Sequence, residues 1–182
     1  GVSRGYSLYF RETDYGEFNV ANYLTNSQGV GVQFGYPISD TQRIGLNLNF
    51  DNTDIDAGSL PSREISDFLS SEGTIFDVLK AQAVWSRITL NRGMFPTYGS
   101  STDVMLQATI PGSDLTYYKT NIRQKFYRPI GFANLVFGFT GELGYIDTYG
   151  DTKKTPFFEN FYSGGPRSIR GFESNTLGPR VT

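Results

Sequence analysis

The chain has 182 residues, of which 38% are hydrophobic, and its 16 basic and 18 acidic side chains give a net charge of −2. It contains neither cysteine nor histidine. These absences exclude Ser-His-Asp and Cys-His hydrolases, a disulfide scaffold, and zinc or iron–sulfur sites built on those ligands. The near-neutral charge also argues against a nucleic-acid partner, since nucleic-acid-binding proteins carry a basic excess.

Membrane-crossing elements are restricted to one type by the hydropathy pattern. No stretch of about 19 apolar residues is present, which excludes a transmembrane helix. Strands of a transmembrane barrel remain possible, because they are apolar only at every second position. The chain starts at Gly1 without a methionine or an apolar leader, so we expect a fragment or a processed product.

Apolar residues recur with period two in seven segments, which predicts seven β-strands. In the clearest case, Val30, Val32 and Phe34 alternate with Gly31, a glutamine and another glycine. The predicted strands cover residues 2–10, 29–36, 43–51, 79–87, 102–110, 118–126 and 133–145. The sequence therefore predicts an all-β protein.

The connections between these strands differ in length at the two ends of the predicted sheet. Short turns are expected at residues 37–42, 91–99 and 128–131, whereas residues 11–28, 51–77 and the chain after 147 form long loops. The turn at 111–114 is a short link on the long-loop side. A short helix is expected near residues 62–70, with Ser62 as its N-cap. This asymmetry is typical of up-and-down outer-membrane barrels.

The less apolar face of the predicted strands favours a barrel in a membrane. It carries glycines and uncharged polar residues, whereas the water-facing side of a soluble sandwich or lipocalin-like cup usually carries lysine and glutamate. Aromatic residues gather near strand ends, at Phe10, Tyr36, Phe50, Tyr118, Phe126, Phe132 and Tyr145. Seven strands do not match the even number of closed bacterial barrels, so we expect part of a barrel.

Two groups of charged residues could suggest ligand sites. Asp51, Asp54 and Asp56 hint at calcium, but no glutamate stands at the closing position of an EF-hand, which favours an acidic surface loop. A predicted strand has a basic face, which we expect to line a polar lumen and pair with acids of neighbouring strands. Its members are Lys119, Arg123 and Lys125.

The chain after residue 155 is rich in aromatic residues and glycine, and we expect it to pack inside its own barrel. Its expected packing residues are Phe157, Phe158, Glu159, Asn160, Phe161, Tyr162, Gly164 and Gly165. A tetrapeptide of Ile169, Arg170, Gly171 and Phe172 follows.

These motifs resemble the BamA family of outer-membrane assembly factors, which also includes mitochondrial sorting proteins and two-partner secretion transporters. The tetrapeptide matches the family's [VI]RGF motif on its sixth extracellular loop. A further match is the family's periplasmic turn, with Arg92, Gly93, Phe95, Pro96 and Gly99. The specific matches run from about residue 91 to 180, and the first 90 residues agree in strand order and loop helix.

The resemblance implies a partial antiparallel up-and-down transmembrane β-barrel, with about seven of sixteen strands. Residues 1–146 would supply these strands and 147–182 the sixth extracellular loop, which folds back into the lumen. The POTRA domains and the lateral gate would lie outside this chain, and we expect that the piece does not fold alone.

The function that the resemblance implies is the folding and insertion of β-barrel proteins into the Gram-negative outer membrane without ATP. Implied partners are the lipid bilayer, unfolded barrel clients and assembly lipoproteins, the last mostly through the POTRA domains. No catalytic residue, cofactor or metal is expected. A two-partner secretion-type transporter or a passive porin remains an alternative, whereas an outer-membrane phospholipase is disfavoured by the lack of histidine.

Arg170 is the residue to which the resemblance gives most weight. A guanidinium in a loop inside a lumen needs carboxylate or carbonyl partners, because an unpaired buried cation costs several kcal/mol. The resemblance places these partners on later strands, outside this chain. Gly171 would allow a tight turn, and Phe172 would pack the loop tip against apolar lumen surface.

Overall fold

The computed structural model describes residues 1–14, 23–58, 63–131, 135–163, 171 and 177–178. Its seven strands confirm the all-β prediction and form one antiparallel sheet in which each strand pairs with its neighbours along the chain. They are β1 (Ser3–Asp14), β2 (Tyr23–Ser39), β3 (Gln42–Ala57), β4 (Ile75–Ile88), β5 (Gly99–Thr109), β6 (Tyr117–Pro129) and β7 (Val136–Thr148). The helix α1 (Arg63–Glu72) connects β3 to β4, and a 3₁₀ turn (Phe157–Glu159) follows β7. Within the described ranges, no α-helix has the length and apolar character needed to cross a membrane.

One side of the sheet, here called the outer face, is apolar and exposed across all seven strands. The register aligns apolar residues of the same parity, so that Val32 lies opposite Leu48 and Leu48 opposite Ala81. Residues directly opposite each other in an antiparallel pair share a face, which makes this surface continuous. Leu8 at one edge and Leu143 near the other are 70% and 75% exposed. An apolar surface of this extent belongs against lipid.

The opposite side, here called the inner face, carries the hydrophobic core near the end of the sheet with the long loops, the loop end. Ile65 and Phe68 of α1 are buried there together with Phe76 of β4 and Phe157 of the 3₁₀ turn. The Phe68 ring centroid lies 5.9 Å from that of Phe76 and 5.3 Å from that of Phe157. Each such buried side chain contributes about 1.5–3 kcal/mol of apolar burial. The helix expected at 62–70 thus lies at Arg63–Glu72, while its proposed cap Ser62 lies outside the described residues.

Four strands reach further into the loop end than the apolar alternation predicted. β1 ends at Asp14 rather than at residue 10, β2 begins at Tyr23 rather than 29, β3 ends at Ala57 rather than 51, and β4 begins at Ile75 rather than 79. The predicted ends were wrong because the apolar residues change face there. Tyr23, Ile55 and Phe76 have the parity of the inner face and are buried.

Aromatic residues lie at both ends of the outer face, as expected for the interfaces of a membrane. Phe10, Phe50 and Tyr118 are exposed toward the loop end, and Tyr36 and Phe126 toward the end with the short turns, the turn end. Tyr145 is also exposed on the outer face toward the loop end, whereas Phe132 lies outside the described residues.

Candidate functional site

The candidate site is built on Glu159, the last residue of the 3₁₀ turn, which lies against the inner face. The Lys80 Nζ atom of β4 lies 2.9 Å from its Oε1 atom, and the Lys119 Nζ atom of β6 lies 3.3 Å from its Oε2 atom. The Tyr117 hydroxyl donates a hydrogen bond of 2.9 Å to Oε1. Lys119 also donates to the backbone oxygen of Glu159 at 2.7 Å. The carboxylate of Glu159 therefore links the segment after β7 to two strands of the sheet, β4 and β6.

A second carboxylate extends this contact network across the sheet. Asp51 of β3 is buried, and its Oδ2 atom lies 3.2 Å from the Nζ atom of Lys80. The Tyr9 hydroxyl of β1 donates a hydrogen bond to Asp51 Oδ1. Asp51, Lys80, Glu159 and Lys119, here called the ion cluster, contain two positive and two negative charges. The balance matters because buried ions are tolerated when each has hydrogen-bonded partners of opposite charge.

The ionisation of Glu159 reflects two opposing effects. Burial disfavours the charged carboxylate, while the ammonium groups of Lys80 and Lys119 and the hydrogen bonds from Lys80 and Tyr117 favour it. The favourable contacts prevail, so the pKa of Glu159 lies below its ordinary value of 4.5. Glu159 is therefore a carboxylate at neutral pH.

Phe161 supplies an aromatic contact beside the ion cluster. The Lys119 Nζ atom lies 4.5 Å from the centre of the Phe161 ring, within the range of a cation–π interaction. Gly144 of β7 allows the ring to approach the sheet closely, because a Cβ atom there would be 2.7 Å from the ring. The chain after β7 thus contacts the inner face through ionic and aromatic interactions in the same short segment, residues 157–161.

The predicted tetrapeptide follows this segment in the sequence, and the described residues Ser163 and Leu177 on either side of it are paired with each other. The Ser163 amide donates to the Leu177 carbonyl at 2.6 Å, and the Leu177 amide donates to the Ser163 carbonyl at 3.0 Å. Gly171 has a φ of +91°, in the left-handed region that favours glycine. Five predicted site residues lie outside the described residues, namely Gly164, Gly165, Ile169, Arg170 and Phe172. The predicted roles of Arg170 and Phe172 therefore stay predictions.

The predicted basic face of β6 does line the inner side of the sheet. Arg123 makes three hydrogen bonds to Glu142 of β7: Nη2 donates to Oε2 at 3.0 Å and to Oε1 at 3.1 Å, and Nε donates to Oε2 at 3.1 Å. Lys119 finds its acid on the segment after β7 rather than on a neighbouring strand. Lys125 has no ion-pair partner in the part of the chain that the structure describes.

The three aspartates weighed as a calcium loop lie in β3, so their assignment to a surface loop was wrong. Asp51 is on the inner face, while Asp54 and Asp56 have the parity of the outer face. Side chains on opposite faces of a strand cannot share one ion. Among the described residues, no group of three or more potential ligands is placed to hold a metal.

The predicted periplasmic turn joins β4 to β5 at the turn end. The Asn91 Oδ1 atom accepts hydrogen bonds from the backbone amides of Thr97 at 3.1 Å and Tyr98 at 3.2 Å. Phe95 has a φ of +50° and is 83% exposed, and Gly99 has a φ of +106° with no room for a Cβ atom against the Thr89 carbonyl. The other predicted members, Arg92, Gly93 and Pro96, belong to the same turn.

Sequence reasoning identified Glu159 only as a motif member. It expected Lys119 to pair with an acid of a neighbouring strand, and it missed Lys80 and Tyr117. Lys80 and Tyr117 lie 79 and 42 residues away along the chain. A usable signal existed, because Lys80 is a cation of inner-face parity in the centre of the sheet, where it requires a counter-ion.

Comparisons with known proteins place the chain in a family. The Omp85 superfamily domain matches residues 1–182. Outer membrane protein assembly factor BamA of Neisseria meningitidis serogroup B is 32% identical over 192 residues, which cover 100% of this chain and 24% of that protein. A SAM50-like protein of Drosophila melanogaster is 26% identical over 175 residues, covering 94% and 38% respectively.

A solved structure shows the same architecture. The crystal structure of BamA from Haemophilus ducreyi lacking POTRA domains 1-3 matches with a TM-score of 0.88 and 25% sequence identity, over 98% of this chain and 36% of that one. The chain therefore spans well under half the length of these relatives. The match over its whole length, at the levels of sequence and of strand order, shows that the chain belongs to the Omp85 superfamily.

Proposed function

We propose that the chain is the central part of the barrel of a factor that folds and inserts β-barrel proteins into the outer membrane of a Gram-negative bacterium. The observation that carries this proposal is the 32% identity to a BamA protein along the entire chain. The continuous apolar outer face, which needs lipid around it, supports the location.

In the proposed barrel, residues 1–146 form seven of the strands, and residues 147–182 form the loop that lies inside the lumen. The contacts of Glu159 and Phe161 with the inner face support this arrangement. Because the segment before the tetrapeptide is held by ionic contacts, the following loop starts from a defined position on the wall. Arg170 then pairs with carboxylates on strands beyond this chain, Gly171 turns the backbone, and Phe172 packs on the lumen surface.

The factor acts as a non-enzymatic insertase, without ATP and without a cofactor. Its work is local destabilisation of the membrane and templating of client strands at a seam between strands beyond this chain. Its partners are the bilayer, unfolded barrel clients and lipoproteins of the assembly complex, which bind mostly through POTRA domains. The described ion cluster supports a structural rather than a chemical role, because each of its charges is paired.

The test replaces Arg170 by alanine or glutamate in the full-length protein, in cells depleted of the unaltered copy. We expect impaired growth, lower levels of outer-membrane barrel proteins, and loss of the heat-modifiable gel shift of the factor itself. Arg63→Ala provides the matched control, because Arg63 is exposed at the start of α1.

Normal barrel-protein levels in both Arg170 variants would contradict the role of Arg170. A protein that conducts ions or exports a substrate, but whose loss leaves other barrels unaffected, would instead be a porin or a secretion transporter. Conductance across planar bilayers and barrel-protein levels after depletion separate these outcomes.

A further inference from the structure

Charged side chains on the outer face are separated by sign between the two ends of the sheet. The pairing register gives outer-face parity to three arginines, one each on β1, β4 and β6, all at the turn end: Arg4, Arg87 and Arg128. It gives the same parity to six carboxylates, all at the loop end: Glu12, Asp14, Asp54, Asp56, Asp77 and Asp147. Between the two groups, the outer-face positions of the seven described strands carry no charged side chain.

The three arginines are exposed and have no acid beside them on the sheet. Arg4 lies opposite Phe34, and Arg128 lies opposite Phe137. Arg87 lies between Gln42 of β3 and Thr102 of β5. None of the three forms an ion pair with any residue of the described ranges. Their charges are therefore available to anions outside the protein.

Their level along the strands is that of a membrane interface. Arg87 follows Trp85 by two residues on the same face of β4, and Arg128 follows Phe126 in the same way on β6. Tryptophan is enriched where the acyl chains meet the polar headgroups, because its ring is apolar and its N–H is polar. Arg87 and Arg128 thus lie one outer-face position beyond these rings, away from the apolar band and at the level of the lipid phosphates. Arg4 is placed in the same way relative to Tyr6 on β1.

We propose that Arg4, Arg87 and Arg128 bind the phosphate groups of anionic phospholipids, such as phosphatidylglycerol, in the leaflet at the turn end. A guanidinium presents two parallel N–H donors to phosphate oxygens, which favours arginine over lysine at such a site. The carboxylates at the loop end repel the same headgroups, so the preference is restricted to one leaflet. The proposal requires only that the sheet lies in a bilayer and is independent of the assembly function.

Trp85 makes the binding measurable, because it is the single tryptophan of the chain and lies beside Arg87 on the outer face. The full-length protein, with any tryptophans elsewhere replaced by phenylalanine, is folded into phosphatidylcholine vesicles containing dibrominated phosphatidylglycerol or dibrominated phosphatidylcholine. Bromine quenches tryptophan fluorescence at short range, so the ratio of quenching gives the relative association constant of the two lipids at this position. The heat-modifiable gel shift verifies that each variant is folded.

We expect phosphatidylglycerol to be favoured over phosphatidylcholine at Trp85, and Arg87→Gln to lower the relative association constant roughly fivefold, as expected for one cation near a membrane surface. High salt reduces the preference of the unaltered protein by screening. Arg87→Lys, which keeps the charge but loses the paired donors, gives an intermediate value and serves as the test if Arg87→Gln does not fold.

Arg43→Gln is the matched control, because Arg43 lies on the adjacent strand opposite Ser86 and has the parity of the inner face. It removes the same charge at the same level of the sheet and leaves the lipid preference unchanged. The proposal is overturned if the two lipids quench Trp85 of the unaltered protein equally. It is also overturned if Arg43→Gln lowers the preference as much as Arg87→Gln does.

Discussion

Each face of β4 carries one cation, and the two cations differ in whether a carboxylate lies beside them. Lys80 on the inner face lies between the carboxylates of Asp51 and Glu159, at 3.2 and 2.9 Å. Arg87 on the outer face has uncharged neighbours on both adjacent strands. The face of the strand, rather than the type of residue, therefore decides whether a charge is paired inside the protein or presented to the surroundings. Substitutions on the inner face and in the segment that contacts it test whether the paired charges hold that segment.

The largest effect is expected for Glu159→Ala. The substitution leaves Lys80 and Lys119 partly buried without their shared counter-ion, which costs about 3–5 kcal/mol when a buried pair is broken from one side. We expect the chain after β7 to leave the inner face, so that limited proteolysis of the folded full-length protein cleaves within residues 149–163.

Glu142→Ala is the control for this experiment, because it removes the acid of a half-exposed pair on the same face. Exposed pairs contribute about 0–1 kcal/mol, so proteolysis after β7 should stay slow in this variant. Equal protection of the Glu159→Ala and Glu142→Ala proteins would show that the ion cluster does not hold the segment.

Acid should release the same segment, but only at low pH. The pKa of Glu159 is below 4.5 in the folded protein, so its ionic stabilisation is complete above that value and is lost as the pH falls through the lowered pKa. We expect proteolytic protection, measured with an acid-tolerant protease, to be constant from pH 8 to about pH 5. Protection should decrease only at pH values below the ordinary pKa range of carboxyl groups. The acid-dependent step should be absent in Glu159→Gln, and a transition near neutral pH would contradict the assignment to this carboxylate.

A smaller effect is expected for Gly144→Ala, which tests the aromatic contact beside the ion cluster. The added Cβ atom would lie 2.7 Å from the Phe161 ring, so the ring must leave its position beside Lys119 and Gly144. Overpacking of this kind costs about 1–3 kcal/mol, and we expect faster proteolysis of the segment without loss of the barrel.

Gly45→Ala is the matched control for Gly144→Ala, because a Cβ atom on Gly45 of β3 would have ordinary contacts of 3.9 Å. The Gly45 variant should be cleaved at the rate of the unaltered protein. If both glycine variants behaved alike, close packing of Phe161 on β7 would not contribute to holding the segment.

Much of the fold was predictable because it depends on local periodicity. The alternation of Val30, Val32 and Phe34 identifies a strand from its own residues, and the seven strands were found in this way. The same method failed where apolar residues change face, as between Phe50 on the outer face and Ile55 on the inner face of β3. A change of parity within one strand resembles the end of a strand when only the pattern of one face is followed.

The amino-acid sequence was enough to assign which strand residues share a face, because side chains alternate with period two along any strand. Which acid pairs with which base depended instead on the three-dimensional arrangement of the strands and the segment after β7. Lys80 and Glu159 are 79 residues apart, and their contact depends on where the segment after β7 returns to the sheet. Ionic attraction has no sequence period, so a pair of this kind follows from the path of the chain in space.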